Sequence, residues 1–215
     1  MAEKDYRTIT IALPKGRLLK ESVEFLKKAN IDASETLSDT RKLIFESGDF
    51  RFILVKPMDV PTYVYYGTAD IGIAGKDVIE EKGYPLYEPL DLKFGACRLS
   101  VAEPVNISEP YDLEKLSFIR VATKYPKTTD RFFRSKGIHP EIIVLYGSVE
   151  LAPLVGLADR IVDLVQTGTT LKVNGLREVD TILYSTARLI VNRASLKTKY
   201  GIIKKMIENM REALR

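Results

Sequence analysis

Apolar residues recur along the chain in two rhythms. Compact runs at residues 8–13, 50–55, 69–74, 118–122, 141–146 and 161–165 have the length and content of buried strands. Stretches at 18–29, 60–66, 78–82, 129–136, 149–157 and 171–176 space their apolar residues as helices do. In the first of these, Leu18, Val23, Phe25 and Leu26 supply much of the apolar face. Residues 40–46 add a further short strand, able to pair with 50–55 as a hairpin about 47–49. Asp59 and Pro61 stand where a helix start is capped. Two longer runs, 91–102 and 181–192, read as long strands, and 104–116 is rich in turn residues. The closing stretch, 196–214, carries Tyr200, Ile203, Met206, Ile207, Met210 and Leu214 on one helical stripe.

The order repeats: strand, basic turn, helix, strand, helix, Ala-Asp, strand, glycine-containing turn, helix. Ala69-Asp70 and Ala158-Asp159 hold matching places in it. The pattern predicts an α/β fold of two similar lobes, not a tandem array. Lobe I takes residues 1–92 plus 184–215 and lobe II takes 93–183, with the two long strands crossing between them. The last helix is expected to pack on lobe I.

Composition narrows the classes. With 215 residues, 45% of them hydrophobic, the chain supports a sizeable core. The N-terminus is charged and lacks the apolar segment of a signal peptide, and no run approaches a membrane span. Cys97 is the only cysteine, as expected of a cytoplasmic protein, and reads as a small buried hydrophobe. His139, the only histidine, reads as a surface residue rather than a metal ligand. A net charge of +4 suits anionic small molecules, and no basic tract with interleaved aromatics points to nucleic acid.

Candidate chemistry gathers at strand ends, where open α/β sheets bind ligands. The turn after the 161–165 run offers Thr167, Gly168, Thr169 and Thr170 ahead of a helix start, a pattern suited to cradling phosphate. Asp163 interrupts an apolar strand, so it needs a cation, a metal or hydrogen-bond donors; a ribose diol or hydrated Mg²⁺ would serve, as would structural pairing with basic residues of the lobe. Lys15, Gly16 and Arg17 follow the first strand, and Arg41, Gly75 and Lys76 add to the same lobe. Cations on one lobe and a phosphate cradle on the other, lining a cleft, imply ligands carrying several phosphates.

Longer segments then carry a family resemblance. Glu150, Gly156, Ala158, Asp159, Ile161, Asp163, Leu164, Thr167, Gly168, Thr170 and Leu171, at these spacings, resemble the signature of ATP phosphoribosyltransferase, the first enzyme of histidine biosynthesis. Residues 13–17 (LPKGR), 40–44 (TRKLI), 70–77 (DIGIAGKD), 95–100 (GACRLS), 122–126 (ATKYP), 146–153 (YGSVELAP) and 174–176 (NGL) resemble that family in the same order. Gln166 departs from the acid that relatives often carry there.

The resemblance implies two lobes like those of type II periplasmic binding proteins, with the active site in the cleft. It implies Mg²⁺-dependent transfer of phosphoribosyl from 5-phosphoribosyl 1-diphosphate to N1 of ATP, the metal being held through substrate phosphates near Asp163. Arg17, Arg41 and Lys15 would be catalytic. Asp163, Glu150, Thr167, Gly168, Thr169, Thr170 and Leu171 would hold the phosphoribosyl group. Lys15, Gly16, Arg17, Arg41, Gly75, Lys76 and Asp77 would meet ATP. The length resembles the short form, which works as a dimer within a hetero-octamer with a regulatory subunit related to histidyl-tRNA synthetase. A non-catalytic two-lobed binding protein for a phosphorylated ligand is the alternative.

Overall fold

The computed structural model describes residues 8–38, 41–107, 111–112 and 115–215. The charged N-terminal heptapeptide, Thr40 and part of the turn-rich stretch fall outside them. The chain forms two units: one runs to Gly95 and resumes over Thr186–Arg215, and the other is Ala96–Ser185.

The first unit, lobe I, begins β1 (Ile9–Pro14), α1 (Arg17–Lys28), β2 (Ile44–Ser47) and β3 (Phe50–Val55). It continues through α2 (Val60–Tyr65), β4 (Ile71–Gly75), α3 (Lys76–Lys82) and β5 (Tyr87–Asp91). Lobe II holds β6 (Cys97–Pro104), β7 (Phe118–Thr123), α4 (Pro126–Ser135), β8 (His139–Val144), α5 (Leu151–Leu154), β9 (Arg160–Val165), α6 (Thr169–Val173) and β10 (Leu176–Ser185). Lobe I then closes with β11 (Ala187–Val191), α7 (Arg193–Thr198) and α8 (Tyr200–Ala213).

Each lobe is built on one sheet, and the sheets share a plan. Lobe I has the order β2-β3-β1-β4-β11-β5, and lobe II has β10-β6-β9-β7-β8. Without the added β2, the series β3-β1-β4-β11-β5 maps onto β8-β7-β9-β6-β10. In both, the first three strands are parallel and the remaining two join antiparallel. The expected self-similarity is therefore present in strand order and direction.

The paired Ala-Asp motifs make the same backbone device. Asp70 receives the Thr10 amide on Oδ2 at 2.9 Å while its own amide donates to the Thr10 carbonyl at 2.9 Å. Asp159 receives the Arg120 amide on Oδ2 at 3.0 Å and donates back to the Arg120 carbonyl at 3.0 Å. A short carboxylate thus satisfies the amide that a strand start would otherwise leave unpaired.

Lobe I has the larger core. Ile9, Ile11 and Leu13 of β1 pack with Val23, Phe25 and Leu26 of α1 and with Ile203, Met206, Ile207 and Met210 of α8. The terminal helix therefore packs on lobe I, as its stripe predicts. Tyr200 leaves that stripe and stays 56% exposed, and Leu214 is only partly buried against the core. The expected single helix is two, because the chain breaks at Lys199, whose φ of −121° is not helical. Asn192 caps α7 by accepting the Ser195 amide at 2.9 Å.

Other elements also differ from the pattern. The two expected long strands are each interrupted. The chain leaves β5 at Asp91, takes left-handed backbone at Lys93 and Gly95, and starts β6 in the other sheet. Leu18 occupies the space a side chain at Gly95 would need, so both φ and packing require glycine. The second run divides at Thr186. The stretches keep enough β-forming residues on both sides of each break to read as one strand. Helix 149–157 contracts to the single turn α5, and 171–176 moves forward to α6, leaving Leu176 to open β10. Arg41 and Lys42 precede β2 rather than joining it. Asp59 stands at the start of α2 but makes no side-chain cap. Cys97 is only half-buried, and His139 opens β8 rather than a loop, exposed as expected.

Candidate active site

In lobe II the parallel trio β7, β8 and β9 ends in three turns at one pole. Lys124 follows β7, Glu150 closes the turn after β8, and Gln166, Thr167 and Gly168 follow β9. Along β9, Ile161 and Val165 belong to the lobe II core with Ala102, Val149 and Leu171. Strand alternation puts Asp163 between them on that same face.

A carboxylate on a core face is costly when unpaired, and Asp163 has no ion-pair partner among the described residues. Its Oδ1 accepts one hydrogen bond, from the Leu164 amide at 2.8 Å. Burial raises its pKa above the ordinary carboxylate value; the charge of Glu150 pushes the same way, while the Leu164 bond and Lys124 oppose it. The structural pairing with lobe cations that the sequence leaves open is therefore absent among the described residues. Asp163 is a half-buried acid with no ion-pair partner among the described residues. The chemistry of this donor set, two neighbouring carboxylates, suits a hard, oxygen-seeking ion such as Mg²⁺.

The turn beyond β9 brings the expected hydroxyls and glycine together. Gly168 sits in the left-handed region at φ +79°, which a β-branched side chain adopts only under strain. The Thr167 and Thr169 hydroxyls lie 3.0 Å apart, and the Thr169 amide approaches Thr167 Oγ1 at 3.4 Å. Thr167, Thr169 and Thr170 are exposed. Because α6 spans only Thr169–Val173, its macrodipole is slight, and the turn's own hydroxyls and amides are the donors. Leu171 differs from expectation: it is 6% exposed and packs in the core. Its side chain anchors the helix beneath the turn. Lys124 is the residue whose place at this site the sequence showed only as part of a basic turn.

In lobe I, Lys15 and Gly16 form the turn between β1 and α1, and Gly16 has φ +87°. Lys15, Gly16 and Arg17 are exposed. An Arg17 Nη2 donates to the Gly95 carbonyl at 3.3 Å, which holds the guanidinium at the end of the sheet. Arg41 is exposed ahead of β2, and no described contact joins it to the β1 turn. Neither Lys15 nor Arg41 forms an ion pair among the described residues.

The third expected lobe I group is built differently. Gly75 is buried within β4 opposite Ala187, and Asp77 is 3% exposed. Lys76 Nζ pairs with Glu88 at 2.9 Å and Glu80 at 3.0 Å, and its amide donates to the Thr186 carbonyl. The Lys76 charge is thus paired within lobe I.

Residues 56–212 match the family model of HisG, ATP phosphoribosyltransferase. An ATP phosphoribosyltransferase of Citrifermentans bemidjiense is 59% identical over 206 residues, covering 95% of this chain and 97% of that one. The Thermotoga maritima structure described as an ATP phosphoribosyl transferase (HisG:HisZ) complex contains a chain with TM-score 0.83 and 37% identity, covering 96% of this chain and 98% of its own. An ancestral arginine-binding protein shares the fold at TM-score 0.61 and 11% identity, covering 96% of this chain and 92% of its own. Family match, relatives and fold agree, and this chain belongs to the ATP phosphoribosyltransferase family.

Proposed function

We propose that this chain transfers the 5-phosphoribosyl group of 5-phosphoribosyl 1-diphosphate to N1 of ATP, releasing pyrophosphate, as the first step of histidine biosynthesis. The observation that carries this reading, beside family membership, is the half-buried Asp163, without an ion-pair partner among the described residues, next to a left-handed turn of hydroxyls.

The chemistry is displacement at an anomeric carbon. Positive charge grows on the ribose while negative charge grows on the departing pyrophosphate. Adenine N1 already carries its lone pair, so positioning and charge stabilisation supply most of the catalysis. The amides and hydroxyls from Thr167 to Thr170 hold the 5′-phosphate. Asp163 accepts from the ribose hydroxyls, and Glu150 beside it adds a second acceptor. Arg17, Arg41 and Lys15 meet the phosphates of pyrophosphate and ATP, with arginine offering the bidentate fork that lysine lacks. Gly16 lets the β1 turn approach these phosphates closely. Mg²⁺, when bound, would offset charge on the departing pyrophosphate, and Asp163 and Glu150 are the carboxylates that would help hold it.

A separate regulatory subunit and a cytoplasmic, hetero-oligomeric enzyme belong to the same proposal. Support for the partner is the two-component complex named for the Thermotoga maritima relative. The test is turnover. Protein is incubated with ATP, 5-phosphoribosyl 1-diphosphate, Mg²⁺ and pyrophosphatase, with and without the regulatory subunit. Phosphoribosyl-ATP is the expected product. Its absence in both arms, with ligand binding intact, would instead identify a binding protein for a phosphorylated ligand.

A further inference from the structure

We propose that Arg98 is a positioning residue for the phosphate turn, and that Glu178 holds it in place. This rests on reading the turn as the 5′-phosphate site.

Arg98 lies at the start of β6, opposite Val165 at the exit of β9 and opposite Tyr184 on β10. Its guanidinium grips Glu178 by a fork: Nε stands 2.6 Å from Oε1 and Nη2 stands 2.5 Å from Oε2. The remaining nitrogen, Nη1, reaches the Gln166 carbonyl at 3.5 Å. Glu178 is fixed in turn. Its Oε1 also accepts the Ser100 hydroxyl at 2.8 Å and the Thr181 hydroxyl at 3.2 Å. Ser100 is fully buried and is the register partner of Asp163. The chain of contacts therefore runs from β10 through β6 to the first residue of the phosphate turn.

The Gln166 carbonyl is the informative end. A trans peptide sets C=O and the following N–H in one plane, pointing opposite ways. Holding the Gln166 oxygen toward Arg98 thus fixes the Thr167 amide away from it. That amide is the first of the turn's donors. With both forked nitrogens committed to Glu178, the guanidinium cannot swing toward a ligand without losing two charge-assisted bonds. Arg98 acts through the turn rather than on the phosphate. Lysine could carry the charge, but it could not span Glu178 and Gln166 together in one plane.

The probes are ribose 5-phosphate, which carries only the 5′-phosphate end, and inorganic pyrophosphate, both followed by calorimetry on the full chain. Glu178→Gln and Arg98→Lys should each weaken ribose 5-phosphate binding about tenfold, the usual scale for a partner that orients a binding group. Pyrophosphate binding should stay as in the wild type. In steady state, KM for 5-phosphoribosyl 1-diphosphate should rise while kcat stays within about twofold. The exchanged pair Arg98→Glu/Glu178→Arg separates positioning from sheet stability. It should restore the melting midpoint but not the affinity, because its guanidinium starts from β10. It also keeps the test decisive where a single variant loses its fold. Unchanged affinity in the single variants, tighter binding in Glu178→Gln, or affinity regained by the exchange would each overturn the proposal. The phosphate reading itself fails separately if the wild type does not bind ribose 5-phosphate, or if Gly168→Val binds it normally.

Discussion

Gly75 and Gly168 stand at matching points of the two lobes, where β4 leads to α3 and β9 leads to α6. Gly75 is extended at φ −65°, buried, and followed by a lysine neutralised by Glu80 and Glu88. Gly168 is left-handed at φ +79° and flanked by exposed hydroxyls, and Asp163 on the preceding strand has no ion-pair partner among the described residues. One turn has settled its charges internally; the other has left donors and an acid unsettled. The Ala-Asp motifs differ in the same manner. Asp70 is 3% exposed and holds buried Lys199 at 2.8 Å and the Ser195 hydroxyl at 2.7 Å, tying the C-terminal helices to β1 and β4. Asp159 pairs with Arg120 at 2.7 Å near the surface. Equal topology therefore does not imply equal pairing: at these matched turns lobe I neutralises its lysine, while in lobe II Asp163 has no ion-pair partner among the described residues.

Breaking the contrast at its strongest point means removing Asp70. Asp70→Ala leaves Lys199 buried without its carboxylate and should cost about 3–5 kcal/mol of unfolding free energy. The matched Asp159→Ala loses a partly exposed pair and should cost roughly 1 kcal/mol. Urea denaturation of both checks this, and equal losses would erase the distinction. Next in size, Arg17→Ala should raise the catalytic barrier by about 3–4 kcal/mol with little change in melting midpoint. Wild-type turnover would remove Arg17 from the chemistry. Gly168→Val forces a β-branched residue into left-handed backbone, a strain of about 1–3 kcal/mol. The turn should relax by changing shape, so ribose 5-phosphate binding falls although the nearest side-chain atom, on Val165, leaves room at 3.9 Å. Calorimetry reads the loss.

Acid separates the two kinds of carboxylate. Asp91 has its pKa lowered to about 2: burial pushes it up, but bonds from Lys93 and Thr186 outweigh that. Its stabilising contribution is complete above about pH 4 and is lost as pH falls toward 2. Glu178, lowered chiefly by its bonds from Arg98, follows the same direction. Asp163 has the opposite sign. Its pKa is raised, so its ionised form opposes folding above that pKa, and the cost is relieved as pH falls through it. Acid unfolding of Asp163→Asn should therefore lack this relief and otherwise retain the wild-type loss near pH 4 to 2.

Much of this was legible in the residues. Strand cores, the α8 stripe, the matched Ala-Asp positions and the chemistry of the Thr167–Gly168 turn all follow from local pattern, because burial and turn conformation write themselves into residue type. What the pattern hides is long-range. Nothing near Lys76 shows that Glu88 will neutralise it, and nothing near Leu171 shows that its side chain will join the core. The breaks at Lys93, Gly95 and Thr186 sit between stretches that each read as strand, so the pattern joins them into one. Arg98 looks like one more strand cation until Glu178, eighty residues away, takes its fork.

The contrast between a settled lobe and a poised one is tested most directly by the melting midpoint of Asp163→Asn, measured with and without 5-phosphoribosyl 1-diphosphate and Mg²⁺. Removing a half-buried charge whose pKa burial raises should leave the midpoint without ligand at or above that of the wild type, while the upward shift on adding ligand largely disappears. A lowered midpoint without ligand, or an undiminished ligand shift, would show that Asp163 serves the fold rather than the substrate.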